Sequence, residues 1–328
     1  MKQKQTHAQE VDKKYEELMG KLCDEAYPAA SKAQLLQNVK DEDINGEMLA
    51  SCARALMHRA LALDLKGIDV CGTGGDKSKN SVKTFNISTA VAFVVAAGGV
   101  SVIKHGNRAV SGVSGSSDVL AAMKIPVATN PAMAKMQHQK HNLCFVSAPA
   151  FHPALASLAP VRKALGRPTF LNLLGPLCNP ARTARQLMGV YGFQDHVADA
   201  GKRLGRNDMM VVKSEDGLDE ISLSDLTRII RVREGKVEEN IICPEDVGLT
   251  TTPIEKLQGG SAEQNAAIIH AVFSGTTGAP HDIICLNAAA GFVTAGKDTE
   301  LKAGLERARQ VIADGLALKK MLAMKGAA

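Results

Sequence analysis

Between Ile68 and Asp118 the chain carries a run of signals that few folds satisfy together. Ile68 to Cys71 is an apolar, strand-like run that leads into Gly72-Thr73-Gly74-Gly75-Asp76. Glycines this dense let backbone N–H groups approach an anionic ligand, although an ordinary tight turn uses the same residues. Asn86-Ile87-Ser88-Thr89 then opens a long apolar helix, Ala90 to Ala97. Its free N–H groups and positive dipole end face the same place, and simple capping also accounts for Asn86 and Ser88. Val100 to Ile103 reads as a second strand, left through Lys104-His105-Gly106-Asn107-Arg108. Ser111, Ser114 and Ser116 follow among glycines, just before a helix at Asp118-Val119-Leu120. Each piece alone has a plain structural reading. Strand, glycine loop, capped helix, strand and basic exit in succession point to a polyphosphate site.

The rest of the chain sets the architecture. Residues 1 to about 10 read as disordered; helical spacing begins at Val11 to Cys23 and returns at Ala29 to Val39 and Gly46 to Leu63. No strand pattern precedes Ile68. After Asp118, helices (Val119 to Met123, Pro131 to His141, Pro153 to Leu165) alternate with strands at Leu143 to Ala148, Gln186 to Tyr191 and Met209 to Lys213. Such alternation predicts a mostly parallel sheet covered by helices, with ligands at the carboxyl ends of the strands. Ile221 to Leu223 and Arg228 to Val232 alternate, and Glu234-Gly235-Lys236 precedes Val237 to Cys243, which reads as an antiparallel excursion. Ser261 to Phe273, Asp282 to Ala295 and Thr299 to Met324 read as helices. The fold class expected is α/β: a small all-helical domain (1–65, with 153–180 returning to it) and a large α/β domain (66–152 and 181–328) with a mostly parallel central sheet.

Composition narrows the function classes. At 328 residues the chain is long enough for one large and one smaller unit. A net charge of +5, with no Lys/Arg block, gives no support to nucleic-acid binding and leaves room for an anionic small substrate. The seven cysteines are scattered and never form a C-x-x-C pair, so reduced thiols in the cytoplasm are the simplest account. The polar N-terminal stretch has no apolar signal core, and the longest apolar run is too short to span a bilayer.

A second group of residues lies far along the chain. Glu215, Asp216, Asp219 and Glu220 crowd a strand end, and either a cation relieves them or they form a solvated acidic loop. Oxygen ligands of this type suit Mg²⁺, which takes one or two carboxylates plus substrate phosphates. Phe170 to Pro180 reads as a rigid apolar loop with Gly-Pro and Asn-Pro turns, a wall for a flat ligand or a plain connection. Arg162 alone reads as a surface charge on a helix. His152 is best read as a packing histidine, and His138 and His141 as exposed.

The segments GTGGD, TFNISTA, KHGNRAVSG, SGSSDVL, DGLDEIS and the 170–180 stretch closely resemble the anthranilate phosphoribosyltransferases over nearly all of residues 60 to 290. The resemblance implies transfer of a phosphoribosyl group from 5-phosphoribosyl 1-pyrophosphate to the amine of anthranilate, in tryptophan biosynthesis. It implies that Gly72, Gly74, Gly75, Asp76, Thr84, Asn86, Ser88, Thr89, Lys104, Ser114 and Ser116 hold the donor. By the same match Asp219, Glu220 and Ser88 bind two Mg²⁺ ions. Gly72, His105, Gly106, Asn107, Arg162 and Pro176 would hold anthranilate, Arg162 pairing with its carboxylate through two parallel hydrogen bonds. A cytoplasmic homodimer joined through the helical domain is also implied, with no nucleic-acid or membrane partner. Three departures from the family pattern stand out. The linker between Asp76 and Thr84 is longer and adds Lys77, Lys79 and Lys83; Gly112-Val113 replaces a Ser and a polar residue; Ala121 to Lys124 is also atypical. The alternatives are a pyrimidine-nucleoside phosphorylase, a transferase for a related aromatic acid, and a non-catalytic paralogue that binds nucleic acid or another ligand.

Overall fold

The structure is a computed structural model that describes residues 2–74, 82–108 and 114–326. Among the described residues, seven strands form a single sheet: β1 (Ile68–Gly72), β2 (Val102–Gly106), β3 (Leu143–Ser147), β4 (Arg185–Gly189), β5 (Asp208–Ser214), β6 (Thr227–Arg233) and β7 (Lys236–Ile242). They lie in the order β3-β2-β1-β4-β5-β6-β7. The first five are parallel, while β6 and β7 run antiparallel as a hairpin added to one edge. Glu234 and Gly235 take positive φ values of 50° and 78°, the paired left-handed turn that matches strand twist. The expected α/β class with a mostly parallel sheet is therefore the one observed.

The chain moves outward from β1 through β2 to β3, then returns to β1's other side for β4. That reversal makes the β1/β4 junction a topological switch point, where crevices open beyond the carboxyl ends of the strands.

The helices, in chain order, are α1 (Lys2–Cys23), α2 (Ala29–Asn38), α3 (Gly46–Met57), α4 (Ile87–Ala97), α5 (Ser116–Ala122), α6 (Pro131–His141), α7 (Ala148–Phe151), α8 (Ala159–Leu165), α9 (Leu171–Leu177), α10 (Gln194–Arg203), α11 (Ala262–Phe273), α12 (Ala279–Thr294), α13 (Leu301–Ala313) and α14 (Leu316–Met324). One face of the sheet buries Ile68, Val70, Val102 and Leu187 against α4 and α12, which are apolar nearly all round because both are enclosed. The opposite face buries Met188, Val190, Met209 and Val211 against the N-terminal helices and α9. The segment from Pro153 packs on that N-terminal group: Lys32 Nζ donates to Ser157 Oγ at 2.7 Å, and α2 meets α8 while α3 meets α9. Helix α10 also lies against α3, so the helical layer reaches beyond residues 1–65 and 153–180.

Several local expectations are corrected. Helix α1 starts at Lys2 rather than near Val11, and α3 ends at Met57, before Leu63. Gly99, at φ +88°, closes the turn after α4, so β2 starts at Val102 and absorbs Lys104 and His105 as strand residues. The Pro153 to Leu165 helix is a 3-10 segment to Leu158 followed by α8. Residues 221–223 form no strand. The C-terminal helix breaks at Gly315, whose φ of +67° no continuous helix accepts. His138 is half-buried, bonded to Ser101 Oγ at 2.5 Å and Lys66 O at 3.2 Å, and His141 is buried at 7% exposure; neither is exposed.

Candidate active site

The carboxyl ends of β1, β2, β4 and β5 bring residues distant in sequence into contact. Asp219, just after β5, accepts the Gly74 N–H at its Oδ2, 3.0 Å away. Only glycine fits beneath it: a Cβ on Gly72 would lie 2.4 Å from Asp219 Oδ2, and one on Gly189 only 1.5 Å from Asp219 O. The glycine turn and the acidic segment thus share one surface across the switch point. Glu220 is half-buried beside it. Asp216, by contrast, is a structural residue that accepts from Leu218 N at 3.1 Å and Ser222 Oγ at 2.5 Å.

On the β2 side, Lys104 is buried at 3% exposure and donates to Val70 O at 2.6 Å and Ser88 Oγ at 3.2 Å. It thereby links β2, β1 and the first turn of α4. Asn86 does not cap α4 with its side chain. Its amide instead donates to Ser114 O at 3.2 Å, and its Oδ1 accepts from Asn265 Nδ2 at 2.9 Å. Ser116 Oγ donates to Asn107 O at 3.2 Å and sits so close to Gly106 that a Cβ there would lie 2.4 Å from it. Thr84 forms an isolated bridge with Gln258. Thr89 is fully buried inside α4, with no partner for its hydroxyl among the described residues. Gly75, Asp76, Lys77, Lys79, Ser111 and Gly112-Val113 lie outside the described residues.

The other half of the site is built on α9. The 170–180 stretch, read from its prolines as a loop, is a short helix over Leu171–Leu177 with Pro176 inside it. The last four carbonyls of a helix need partners from elsewhere. Here side chains provide them: His105 Nδ1 faces Gly175 O at 3.2 Å, Gln186 Nε2 donates to Pro176 O at 2.7 Å, and Arg206 Nη2 donates to Leu177 O at 2.9 Å. His152 Nε2 faces Cys178 O at 2.8 Å. A ring nitrogen facing a carbonyl must carry the proton, so His105 is the Nδ1–H tautomer and His152 the Nε2–H tautomer. The two rings pack edge to face, centroids 5.2 Å apart. Burial, then the neighbouring His152, pulls the His105 pKa down to about 3, so it is neutral at physiological pH.

Arg162, on α8, is half-buried, and its Nη2 donates to Asn172 Oδ1 at 3.3 Å on α9. No carboxylate pairs with it among the described residues, and burial lowers its pKa. It is a desolvated guanidinium able to take a carboxylate from outside the chain. Asp69, Asn179, Gln186, Arg206, Gly189 and Asn265 were missed from sequence. A polar residue inside an apolar strand run was the available signal for Asp69.

No three His, Cys, Asp or Glu side chains among the described residues gather to hold a metal by themselves. Asp219 and Glu220 beside the glycines offer carboxylate oxygens of the kind that suits an ion completed by substrate oxygens. That is the habit of Mg²⁺.

Residues 65–318 match the family model described as "Glycosyl transferase family, a/b domain". Over 311 residues the chain is 42% identical to the anthranilate phosphoribosyltransferase of Brevibacillus brevis, covering 93% of this chain and 90% of that protein. The chain belongs to the anthranilate phosphoribosyltransferase family. The family member from Petrotoga mobilis is 41% identical over 280 residues, 84% of this chain and 80% of its own. Among solved structures, that of the Thermus thermophilus family member superposes with a TM-score of 0.87 at 36% identity, covering 96% of this chain and 95% of that one. The Saccharomyces cerevisiae family member, solved in complex with PRPP and Mg, has a TM-score of 0.85 at 24% identity and bears on the fold alone. It covers 98% of this chain and 93% of its own. The resemblance read from the motifs is thus borne out at the level of the family.

Proposed function

We propose that the protein transfers the phosphoribosyl group of 5-phosphoribosyl 1-pyrophosphate to the amine of anthranilate, releasing pyrophosphate, in tryptophan biosynthesis. The observation that carries this reading is the contact of Asp219 with Gly72 and Gly74; a half-buried guanidinium on α8, with no carboxylate partner among the described residues, supports it. One side of the site suits phosphates and a divalent ion; the other suits a small aromatic acid.

The donor lies along Gly72, Gly74, Gly75, Asp76, Thr84, Asn86, Ser88, Lys104, Ser114 and Ser116. Thr89 supports the first turn of α4 from inside. Asp219, Glu220 and Ser88 hold Mg²⁺, as two ions, which when bound neutralises charge on the diphosphate. The anthranilate nitrogen attacks C1 of the ribose; the C1–O bond breaks, and pyrophosphate leaves with the bonding electron pair. Stabilising that leaving group is the main electrostatic task, met on the protein side by the buried Lys104 charge. An aniline nitrogen is already neutral at pH 7, so it attacks without a strong base and its proton passes to solvent. Arg162 takes the carboxylate, while Gly106, Asn107, Pro176 and the neutral His105 orient the ring.

In this reading the site lies in the cleft between the small helical domain (1–65 with 153–180) and the large domain (66–152 and 181–328). The working form is a cytoplasmic homodimer joined through the helical domain. Seven unpaired cysteines support the reducing compartment. Among the described residues, no helix is long and apolar enough to cross a membrane.

The test is the fluorescence of anthranilate in the presence of 5-phosphoribosyl 1-pyrophosphate and Mg²⁺. Decay that requires both additions is expected; folded protein that consumes no anthranilate would refute the reading. Consumption of a different aromatic acid instead would favour the related transferase.

A further inference from the structure

Strand β1 sends alternate side chains to opposite faces of the sheet. Val70 joins the core beneath α4, on the face where Lys104 reaches Ser88. Asp69 points the other way, fully buried, toward the segment that follows α9. There Asn179, also fully buried, donates one amide to both Asp69 Oδ2 and Ile103 O, each at 2.8 Å. Its Oδ1 accepts the Ala181 N–H at 3.0 Å, so the amide has one possible orientation. The second Asp69 oxygen accepts the His105 N–H at 3.2 Å. The hydrogen bonds that reach Asp69 from Asn179 and His105 both come from donors. Burial pushes its pKa up, and the Lys104 charge, then the Asn179 amide and the His105 N–H, oppose that; the Arg206 charge also feels it.

The geometry points to Asp69 and Asn179 as a positioning pair that holds the acceptor-side helix and the donor-side strands in one frame. This inference rests on the reaction proposed above and goes beyond it, since neither residue touches substrate there. One carboxylate registers β1 against the main chain of His105, next to the buried Lys104. The same carboxylate, through Asn179, fixes the turn directly after Pro176. The acceptor wall and the leaving-group cation are thereby referenced to a single buried group. Losing it leaves each half able to bind while their mutual alignment degrades, and a misplacement of ~1 Å costs on the order of 100-fold in rate.

The test compares steady-state kinetics of the wild type, Asn179→Ala, Asp69→Asn and the double variant, normalised to folded protein by near-UV circular dichroism. In Asn179→Ala, kcat should fall ~10–100-fold while each substrate's KM moves less than about threefold. Asp69→Asn should behave alike, because an amide in its place turns an NH₂ toward one of two donors. The double variant should be no slower than the worse single one, as for two residues acting as a unit. If Asn179→Ala does not fold, Asn179→Ser, which keeps one donor, is held to the same criteria. A folded variant that unfolds at lower temperature but keeps kcat within about twofold would mark a merely structural pair and overturn the inference. Losses that multiply in the double variant would also overturn it. An inactive wild type would instead overturn the assigned reaction, and the inference with it.

Discussion

Replacing Gly189 with alanine tests whether Asp219 is held where the donor and its ion must sit. The added Cβ would lie 1.5 Å from Asp219 O and 2.5 Å from its carbonyl carbon, both main-chain atoms. Carbon–oxygen contacts settle at roughly 3.3–3.6 Å, so the acidic segment must retreat by about 1.8 Å. Overpacking of this kind costs ~1–3 kcal/mol of stability. The rate suffers more, because a shift of ~1 Å in a positioned group costs on the order of 100-fold. The retreat also stretches the 3.0 Å bond from Gly74 N–H to Asp219 Oδ2, disturbing both sides of the crevice. The assay is turnover titrated with Mg²⁺. Gly189→Ala should fall ~100-fold in kcat/KM for the donor and need ~10-fold more Mg²⁺ for half-maximal rate. Gly72→Ala should be milder, because its Cβ meets the Asp219 side chain, which can rotate, at 2.4 Å. Gly192→Ala, with nothing within 4 Å, is the control and should behave as wild type. A Gly189→Ala enzyme with wild-type turnover and an unshifted Mg²⁺ titration would refute the reasoning.

Other residues make separate predictions. Arg162→Ala removes a charge-assisted pair of ~1.5–3 kcal/mol, so KM for anthranilate should rise roughly 10–150-fold with the donor's KM nearly constant; equal effects on both would remove the assignment. Asn265→Ala strips Asn86 Oδ1 of its 2.9 Å donor and leaves Gly260 N–H without its acceptor. A loss of ~1 kcal/mol predicts about a fivefold rise in KM for the donor, and an unchanged KM would show that Asn265 serves folding only. His105 has its folded pKa pulled down to about 3 by burial, against about 6.5 when unfolded. Its stabilising contribution is therefore complete above pH ~6.5 and declines as pH falls toward ~3, by up to ~1.4 kcal/mol per unit. Urea midpoints measured between pH 7 and 4 should fall less steeply for His105→Gln than for wild type; parallel slopes would contradict this.

The contrast between the two halves of the site is physical. Donor-side groups lie within one strand–turn–helix–strand stretch, where spacing along the chain largely sets spacing in the molecule. Gly72, Gly74, Ser88 and Lys104 were therefore visible as a set. The acidic segment was visible too, and the resemblance singled out Asp219 and Glu220; composition and spacing alone did not separate Asp219 from Asp216, because that depends on which carboxylate meets Gly72 and Gly189. The acceptor side was misread where local rules conflict with distant partners. Gly175-Pro176 signals a turn, yet residues 171–177 form a helix whose carbonyls are satisfied by His105, Gln186 and Arg206 and, just beyond it, by His152. None of those four donors is near it in sequence except Gln186, and nothing in the local pattern shows them.

From the order of residues alone came the alternating α/β plan, the glycine turn, the antiparallel hairpin and the family, because periodicity and short motifs are local properties. The tertiary structure decided which buried groups answer each other: Asp219 on the glycines, Asn179 on Asp69, Asn265 on Asn86. Hydrogen bonds and close packing between residues more than a hundred positions apart depend on strand order and register, and those exist only once the sheet has formed.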